Sequence, residues 1–349
     1  MKTKRFIKVT AFILIFTVCF FCVQGLLAGD NDTRDYRRIT EFFDQRENSL
    51  DAVFLGSSAT YAFWSPAIGW QENGITVYSL SSGVQEILAA RYLIEDGRKT
   101  QPDALYIVNL VSVTEYYNHR IHSLLDGYPL SLTKLKMIDY LSDLGDYSFS
   151  ERMEFYFPII RFHGRWSDLY AVDFKKKPEL YKGSNVYDNF INNTLDVSGG
   201  IWDYEGRAPV TETLEQGLSD LMDYCEEEKV KVLFILTPQS VQDEEKRGRQ
   251  NTLKDMVIER GFDMLDMNEV AEEIGLNQKT DYYDPEHTNL HGSVKVVDYL
   301  SEYLIENYGF EDKRGNEDYA DWQLAADKYY DQIKDKLTEE DLKYVTIKE

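Results

Sequence analysis

Cysteine is scarce in this chain. Only three cysteines occur in 349 residues, and Cys19 and Cys22 both lie in an apolar run near the N-terminus. Cys225 has no possible partner outside that run, so no intramolecular disulfide can stabilise the rest of the chain. We expect Cys225 to be a small buried residue, and we expect the fold to rely on its hydrophobic core.

Positive charge is also limited. The 38 Lys and Arg residues face 61 Asp and Glu residues, which gives a formal net charge of −23. Binding to phosphates of nucleic acid needs clustered positive charge, so this balance argues against a nucleic-acid partner. Neither a Walker loop nor a Gly-x-Gly-x-x-Gly motif occurs in the sequence, so nucleotide binding has no support.

Four basic residues cluster at the N-terminus. Lys2, Lys4, Arg5 and Lys8 precede a mostly apolar run at 9–28. This order is typical of a secretory signal or a signal anchor whose basic end stays in the cytoplasm. The run approaches the roughly 20 residues that span a bilayer. We expect a retained transmembrane anchor over 1–30 and an extracytoplasmic remainder; cleavage after Gly25 is the alternative.

Beyond residue 30, short apolar runs alternate with helical patterns. Candidate strands lie at 52–56, 75–80, 104–110, 230–236 and 262–267, and candidate helices lie at 84–97 and 212–229. Near-continuous apolar strands separated by helices indicate a parallel sheet that is covered on both faces. The sequence therefore predicts a three-layer α/β/α domain over 45–310.

Two segments are predicted to lie outside this regular pattern. Residues 115–210 form an insertion between the third and fourth strands. The acidic extension 311–349 contains Trp322, Tyr329 and Ile333 at helical spacing. That spacing indicates helices packed on the domain edge, or a contact with a partner.

The first predicted strand ends in Gly56-Ser57-Ser58. Ligands of open α/β sheets bind beyond the carboxyl ends of the strands, so a serine at this position can present its hydroxyl to a substrate. The turn lacks the second glycine of Gly-x-Ser-x-Gly and is not that nucleophile elbow. Taken alone, such a tripeptide is usually a turn or a helix cap.

A serine nucleophile needs a base, and His287 is the best candidate among five histidines. Asp284 and Pro285 suit the start of a helix, which would place His287 one turn later. At that spacing Asp284 can orient one imidazole nitrogen while the other faces a nucleophile. The alternative is a capping aspartate beside a surface histidine.

His119 and His122 are three residues apart and could share one face of a helix, as metal ligands do. No third ligand forms a recognisable set with them, which favours a structural role. We predict neither a metal nor a cofactor for this protein.

Together, Gly-x-Ser after the first strand and Asp-x-x-His before the last helix resemble the SGNH (GDSL-like) hydrolase superfamily. The pattern formed by Asp284, His287, Asn289 and Gly292 is similar to its extracytoplasmic branch. That branch includes the D-alanyl-lipoteichoic acid transfer protein and the alginate O-acetylation proteins. The resemblance covers about residues 50–307.

The resemblance implies a role for each matching residue. Ser58 corresponds to the nucleophile, His287 to the general base and Asp284 to its orienting acid. Gly83 corresponds to the glycine whose N–H joins the Ser58 N–H in the oxyanion hole. Ser57 stands where the family usually has Asp.

The chain departs from the family after the third strand. The hydrolases carry Gly-x-Asn-Asp there, whereas this chain reads 107-IVNLVSVTEYYN-118. Asn109 and Asn118 are candidate oxyanion donors, but neither lies in the family pattern. Loss of one such donor can cost about 10²–10³ in rate, which argues against fast hydrolysis by water.

The insertion contains a compact polar and aromatic group, namely Arg161, His163, Arg165 and Trp166. We expect this segment to fold over the strand ends and bind substrate, with Trp166 stacking on a sugar or acyl face. The alternative is that Trp166 lies in the core of the insertion while the arginines pair with acidic residues.

These observations predict a membrane-anchored, extracytoplasmic serine O-acyltransferase or esterase. The resemblance implies cell-surface glycans or their ester groups as substrates, and a membrane-bound O-acyltransferase as a possible partner. The alternative is a non-catalytic accessory protein of the same fold that binds polysaccharide or scaffolds that acyltransferase. The irregular third motif favours the alternative, and the intact Ser58, Asp284 and His287 set disfavours it.

Overall fold

A computed structural model describes residues 2–28, 34–112, 121–171, 173–174, 181–185, 201–240 and 243–346. The α-helices in these ranges are α1 Lys2–Ala28, α2 Arg34–Phe43, α3 Ser58–Phe63, α4 Pro66–Asn73, α5 Ala90–Gly97, α6 His122–Leu125, α7 Leu132–Leu144, α8 Phe149–Tyr156, α9 Ile159–Phe162, α10 Glu212–Glu227, α11 Glu244–Glu259, α12 Leu290–Tyr308 and α13 Ala320–Ile333. The strands are β1 Ala52–Gly56, β2 Val77–Ser81, β3 Leu105–Asn109, β4 Val232–Leu236, β5 Asp263–Asp266, β6 Tyr282–Asp284 and β7 His287–Thr288.

A parallel sheet of five strands forms the centre of the domain, in the order β2-β1-β3-β4-β5. Every residue of β1, β2, β3 and β4 is buried. Because successive residues of a strand point to opposite faces, this burial means that both faces of the sheet are covered. The predicted parallel α/β fold is confirmed, and all five predicted strands are present.

The strand order places a switch point between β1 and β3. From β1 the chain first moves outward to β2 and then returns to the other side of β1. Connections on the two sides leave the sheet in opposite directions, which opens a crevice at the carboxyl ends of β1 and β3. Ser58 and Asn109 stand at these two ends.

The N-terminal helix α1 is long and apolar. Its stretch from Thr3 to Leu27 has the length and composition of a membrane span, and the described part of the chain buries none of the most apolar 18-residue window in that stretch. The arrangement fits a signal anchor or a signal peptide.

Helices at both ends of the chain complete the core. Helix α2 precedes the predicted domain start at residue 45, yet its Ile39 and Phe42 are fully buried in the same core. In α13, Trp322, Tyr329 and Ile333 are buried, and the Trp322 ring lies 5.9 Å from that of Trp70. Helix α13 of the acidic extension therefore packs against the domain through these side chains.

Replacement of Trp322 tests whether α13 is integral to the domain. Trp322→Ala should lower the free energy of unfolding by about 3–5 kcal/mol, because it empties a large buried site. Leu324→Ala on the same helix is the matched control: its side chain is 54% exposed, and its effect should stay within about 0.5 kcal/mol. Denaturant unfolding measures both, and equal effects would contradict the packing described here.

Candidate functional site

The turn after β1 is shaped by Gly56, Ser57 and Thr60. A Cβ atom at Gly56 would lie 2.1 Å from Thr60 Oγ1, so no other residue fits without displacing that side chain. Ser57 caps helix α3, and its hydroxyl accepts a hydrogen bond from the Ala59 N–H at 3.4 Å. Ser58 is consequently the first residue of α3, where backbone N–H groups have no acceptor within the helix.

A small antiparallel hairpin, β6–β7, carries Asp284 and His287. The prediction that a helix begins at Asp284 was therefore wrong. Helix α12 starts at Leu290, with Asn289 as its N-cap accepting a hydrogen bond from Gly292 N–H at 3.2 Å. Asp284 caps the tight hairpin turn instead: its Oδ1 accepts from the backbone N–H groups of Glu286 and His287, at 2.8 and 3.0 Å.

The hairpin brings three predicted residues into one hydrogen-bonded series. His287 Nδ1 lies 2.8 and 2.9 Å from the two carboxylate oxygens of Asp284, and His287 Nε2 lies 2.7 Å from Ser58 Oγ. A carboxylate can only accept, so we assign the proton of neutral His287 to Nδ1. Nε2 then accepts from the Ser58 hydroxyl, as a general base requires.

Contacts around Thr288 fix the hairpin against α3. The Thr288 hydroxyl donates to the Ala62 carbonyl at 2.7 Å, and Asn289 Nδ2 donates to the Thr280 carbonyl at 2.7 Å. A Cβ atom at Gly292 would lie 2.3 Å from the Asp281 carbonyl oxygen, so glycine lets the two segments approach. The asparagine and glycine of the motif thus position the hairpin that carries His287.

The site is partly shielded from solvent. The side chains of His287 and Asp284 are 14% and 30% exposed, and the ring of Tyr283 stacks on His287 at 5.2 Å. Burial alone would raise the pKa of Asp284, but hydrogen bonds from His287 and from the backbone lower it, and the net direction is downward. Asp284 is therefore a carboxylate at neutral pH, able to stabilise a protonated His287.

The backbone N–H of Gly83 donates to Asp35 Oδ2 at 2.9 Å. Asp35 is held by Arg38, whose fully buried guanidinium also donates to the Ser81 carbonyl at 3.1 Å and lies 4.1 Å from the ring centroid of Tyr61. Gly83 therefore binds a carboxylate oxygen in this structure. An oxyanion at the same N–H requires Asp35 to move, and the role predicted for Gly83 stays a prediction.

Asn109 is buried at the end of β3, and both the nitrogen and the oxygen of its side-chain amide form hydrogen bonds. Nδ2 donates to the hydroxyl oxygens of Thr60 and Thr237 at 3.2 and 3.1 Å, and Oδ1 accepts from Val111 N–H at 3.1 Å. To serve as an oxyanion donor, Asn109 would first have to break one of these bonds. The other candidate, Asn118, lies outside the described residues.

The four residues predicted to bind substrate lie at the end of α1. Arg161 forms an ion pair with Asp126, and Arg165 donates to Asp173 Oδ1 at 2.9 Å and to the Leu27 carbonyl at 3.1 Å. His163 Nδ1 lies 2.7 Å from the Ile160 carbonyl oxygen, and Trp166 is 73% exposed. The pairing of both arginines with acids matches the alternative given for them, whereas Trp166 is not in a core.

A cavity of about 780 Å³ opens beside the carboxyl end of β5, lined among others by Trp202, Arg247 and Asn268. The Trp202 indole donates to the Gln239 carbonyl at 2.7 Å, and Ser240 N–H donates to the Pro285 carbonyl at 3.1 Å. The loop after β4 thus joins this cavity to the turn between Asp284 and His287.

Sequence reasoning missed both Asp35 and this cavity. The only local signal for Asp35 is its spacing of three residues from Arg38 within a helix, which favours an ion pair but does not indicate Gly83 as a neighbour. Of the histidine pair, His119 lies outside the described residues, and the His122 ring lies 4.6 Å from that of Phe155.

No protein-family model matches this chain, and no curated protein matches it significantly. The resemblance to SGNH hydrolases therefore rests on the motif residues and on their arrangement in a parallel α/β fold.

The lowered pKa of Asp284 predicts a pH-dependent contribution to stability. A carboxyl whose pKa is lowered by folding stabilises the folded state above its ordinary value of 3.8, and this contribution disappears as the pH falls through the lowered value. Wild-type protein should therefore melt at a higher temperature than Asp284→Asn at pH 7, and the difference should shrink below pH 3.8. Circular dichroism melts between about pH 7 and pH 3 measure this; a constant difference would contradict it.

Proposed function

We propose that this protein is a membrane-anchored serine O-acyltransferase or esterase that acts through Ser58, His287 and Asp284. The observation that supports the proposal is the hydrogen-bonded series from Ser58 Oγ through His287 to the Asp284 carboxylate, with heavy-atom distances of 2.7 to 2.9 Å. Nucleophile, base and orienting acid are each within hydrogen-bond reach of the next, as nucleophilic catalysis requires.

The proposed reaction has two halves. Ser58 Oγ attacks the carbonyl carbon of an acyl ester while its proton passes to His287 Nε2. The bond to the leaving oxygen then breaks, and His287 returns the proton to that oxygen. In the second half an acceptor hydroxyl, or water, gives its proton to His287 and attacks the carbonyl carbon of the acyl-Ser58 ester. The bond between the acyl group and Ser58 Oγ then breaks, and His287 returns the proton to Ser58 Oγ. Asp284 stabilises the imidazolium that forms in both halves.

The oxyanion of each tetrahedral intermediate would be bound by the Ser58 N–H and by Gly83 once Asp35 has moved. The amide of Asn109 already has its hydrogen-bond partners. A site with few free donors stabilises the intermediate weakly, which favours slow hydrolysis and a reaction that depends on a well-placed acceptor.

The substrate class and the partner in this proposal come from the family resemblance. We propose cell-surface glycans or their ester groups as substrates and a membrane-bound O-acyltransferase as the source of acyl groups. Helix α1 would hold the domain at the outer face of the membrane. A non-catalytic accessory role, in polysaccharide binding or scaffolding, is the competing proposal; it has the engaged Asn109 in its favour.

Covalent labelling with a fluorophosphonate probe distinguishes these proposals. Wild-type protein should be labelled and Ser58→Ala should not, because the probe reacts with an activated serine hydroxyl. His287→Ala should slow labelling by about 10²–10⁴-fold through loss of the general base.

Ser57→Ala is the matched control for the neighbouring hydroxyl. It removes a helix cap worth about 1 kcal/mol but should leave labelling intact. Loss of labelling in Ser57→Ala with retention in Ser58→Ala would move the nucleophile to Ser57. If the folded wild type is not labelled at all, the accessory role is favoured.

The location of the domain can be tested by N-terminal sequencing of protein recovered from membranes. We expect residues 9–28 to be retained, because the apolar stretch is long enough to span a bilayer. A mature chain that begins near Leu26 would contradict the anchor but not export.

A further inference from the structure

Several large side chains beside the end of α1 are exposed to solvent. Trp166, Tyr170 and Phe174 are 73%, 70% and 67% exposed, and Phe157 and Ile160 are 38% and 42% exposed. Apolar side chains exposed singly are common, but this group falls within 18 residues of one segment. We call these five residues the aromatic platform.

Hydrogen bonds hold the platform in a compact turn. Asp173 accepts from Arg165 Nη2 at 2.9 Å and from Tyr170 N–H at 2.8 Å, and its own N–H donates to the Tyr170 carbonyl at 2.9 Å. These bonds bring the segments that carry Trp166, Tyr170 and Phe174 together.

The same turn is fixed to the apolar helix. Arg165 Nη1 donates to the carbonyl of Leu27. This is one of the last carbonyls of α1, for which the helix itself has no N–H donor. Further along, the Phe157 ring meets the Phe20 ring edge-on at 6.1 Å. Phe20 precedes Leu27 by seven residues, so the contact with Phe157 lies about 10 Å along the helix axis from the contact with Arg165.

The length of α1 determines how deep in a bilayer the contact between Arg165 and Leu27 would lie. The candidate membrane span Thr3–Leu27 has 25 residues and is about 37 Å long, against a hydrocarbon core of about 30 Å. Leu27 therefore lies near the headgroups, and a segment bound to Leu27 lies at the same level. Trp and Tyr are the residues that favour this interface, because their rings are apolar with one polar atom.

We propose that the aromatic platform inserts into the membrane interface beside α1 and fixes the orientation of the domain on the bilayer. The occupant is the lipid interface itself, bound through aromatic partitioning. Within the described residues 157–171 and 173–174 the cations Arg161 and Arg165 are paired with Asp126 and Asp173, which favours aromatic partitioning over charge as the attraction. The proposal rests on the proposed retention of α1 in the membrane and not on the enzymatic role.

The distribution of tryptophan makes the test specific. All five tryptophans lie among the described residues; Trp64, Trp70 and Trp322 are buried, Trp202 is half-buried, and Trp166 is exposed. Helix α1 contains none. Quenching of tryptophan fluorescence by bromine atoms on lipid acyl chains should therefore report Trp166.

The full-length chain would be reconstituted into phosphatidylcholine nanodiscs with and without brominated acyl chains. Wild-type protein should be quenched by the brominated lipid. Trp166→Phe should lose the lipid-dependent quenching, while the matched control Trp202→Phe should keep it. The quenching should also persist at high salt, because aromatic partitioning is not screened.

Three outcomes would overturn the proposal. Absence of quenching in the wild type would mean that the platform does not bind lipid and is instead a surface for a protein partner or a second copy of the chain. Quenching that survives Trp166→Phe would mean that another part of the domain meets the lipid. Quenching that disappears at high salt would mean that charge, not the aromatic side chains, holds the segment at the membrane.

Discussion

The hydrogen bond from Thr288 to the Ala62 carbonyl joins segments 226 residues apart, and the candidate site depends on it. Thr288 follows His287 directly, and Ala62 lies one turn beyond Ser58 on the same short helix. A fixed distance between Thr288 and Ala62 therefore fixes the distance between imidazole and hydroxyl. Because Gly292 has no Cβ atom, the Asp281 carbonyl can lie close to it, and this close approach allows the hairpin to pack against α3.

The sheet could be predicted from sequence because each strand carries its own signal. Strands β1, β3 and β4 are buried on both faces and are almost continuously apolar, and this is visible in five residues without knowledge of the neighbouring strands. The start of α12 could not be decided in this way. Asp284 and Asn289 are both good N-cap residues, and Asn289 caps the helix because the β6–β7 hairpin takes Asp284, a choice made by tertiary contacts.

The charged residues show a second limit of sequence reasoning. Arg161 and Arg165 were recognisable as cations, but in a chain with 61 acidic residues their partners were not. Arg161 pairs with Asp126, 35 positions away, and Arg165 with Asp173, eight away. The pairing of Ser58 with His287 was predictable only through a resemblance to other proteins; geometry then showed the two atoms in contact.

The short link between α1 and α2 limits the distance between the candidate site and a retained membrane anchor. Helix α1 ends at Ala28 and α2 begins at Arg34, so six residue steps separate them, at most about 20 Å of extended chain. Because Ile39 and Phe42 bury α2 in the core of the domain, the site near Gly83 stays within reach of a retained anchor even when Asp35 leaves the Gly83 N–H. A polymer held far above the bilayer would be out of range, whereas chains that emerge at the membrane surface would pass within it.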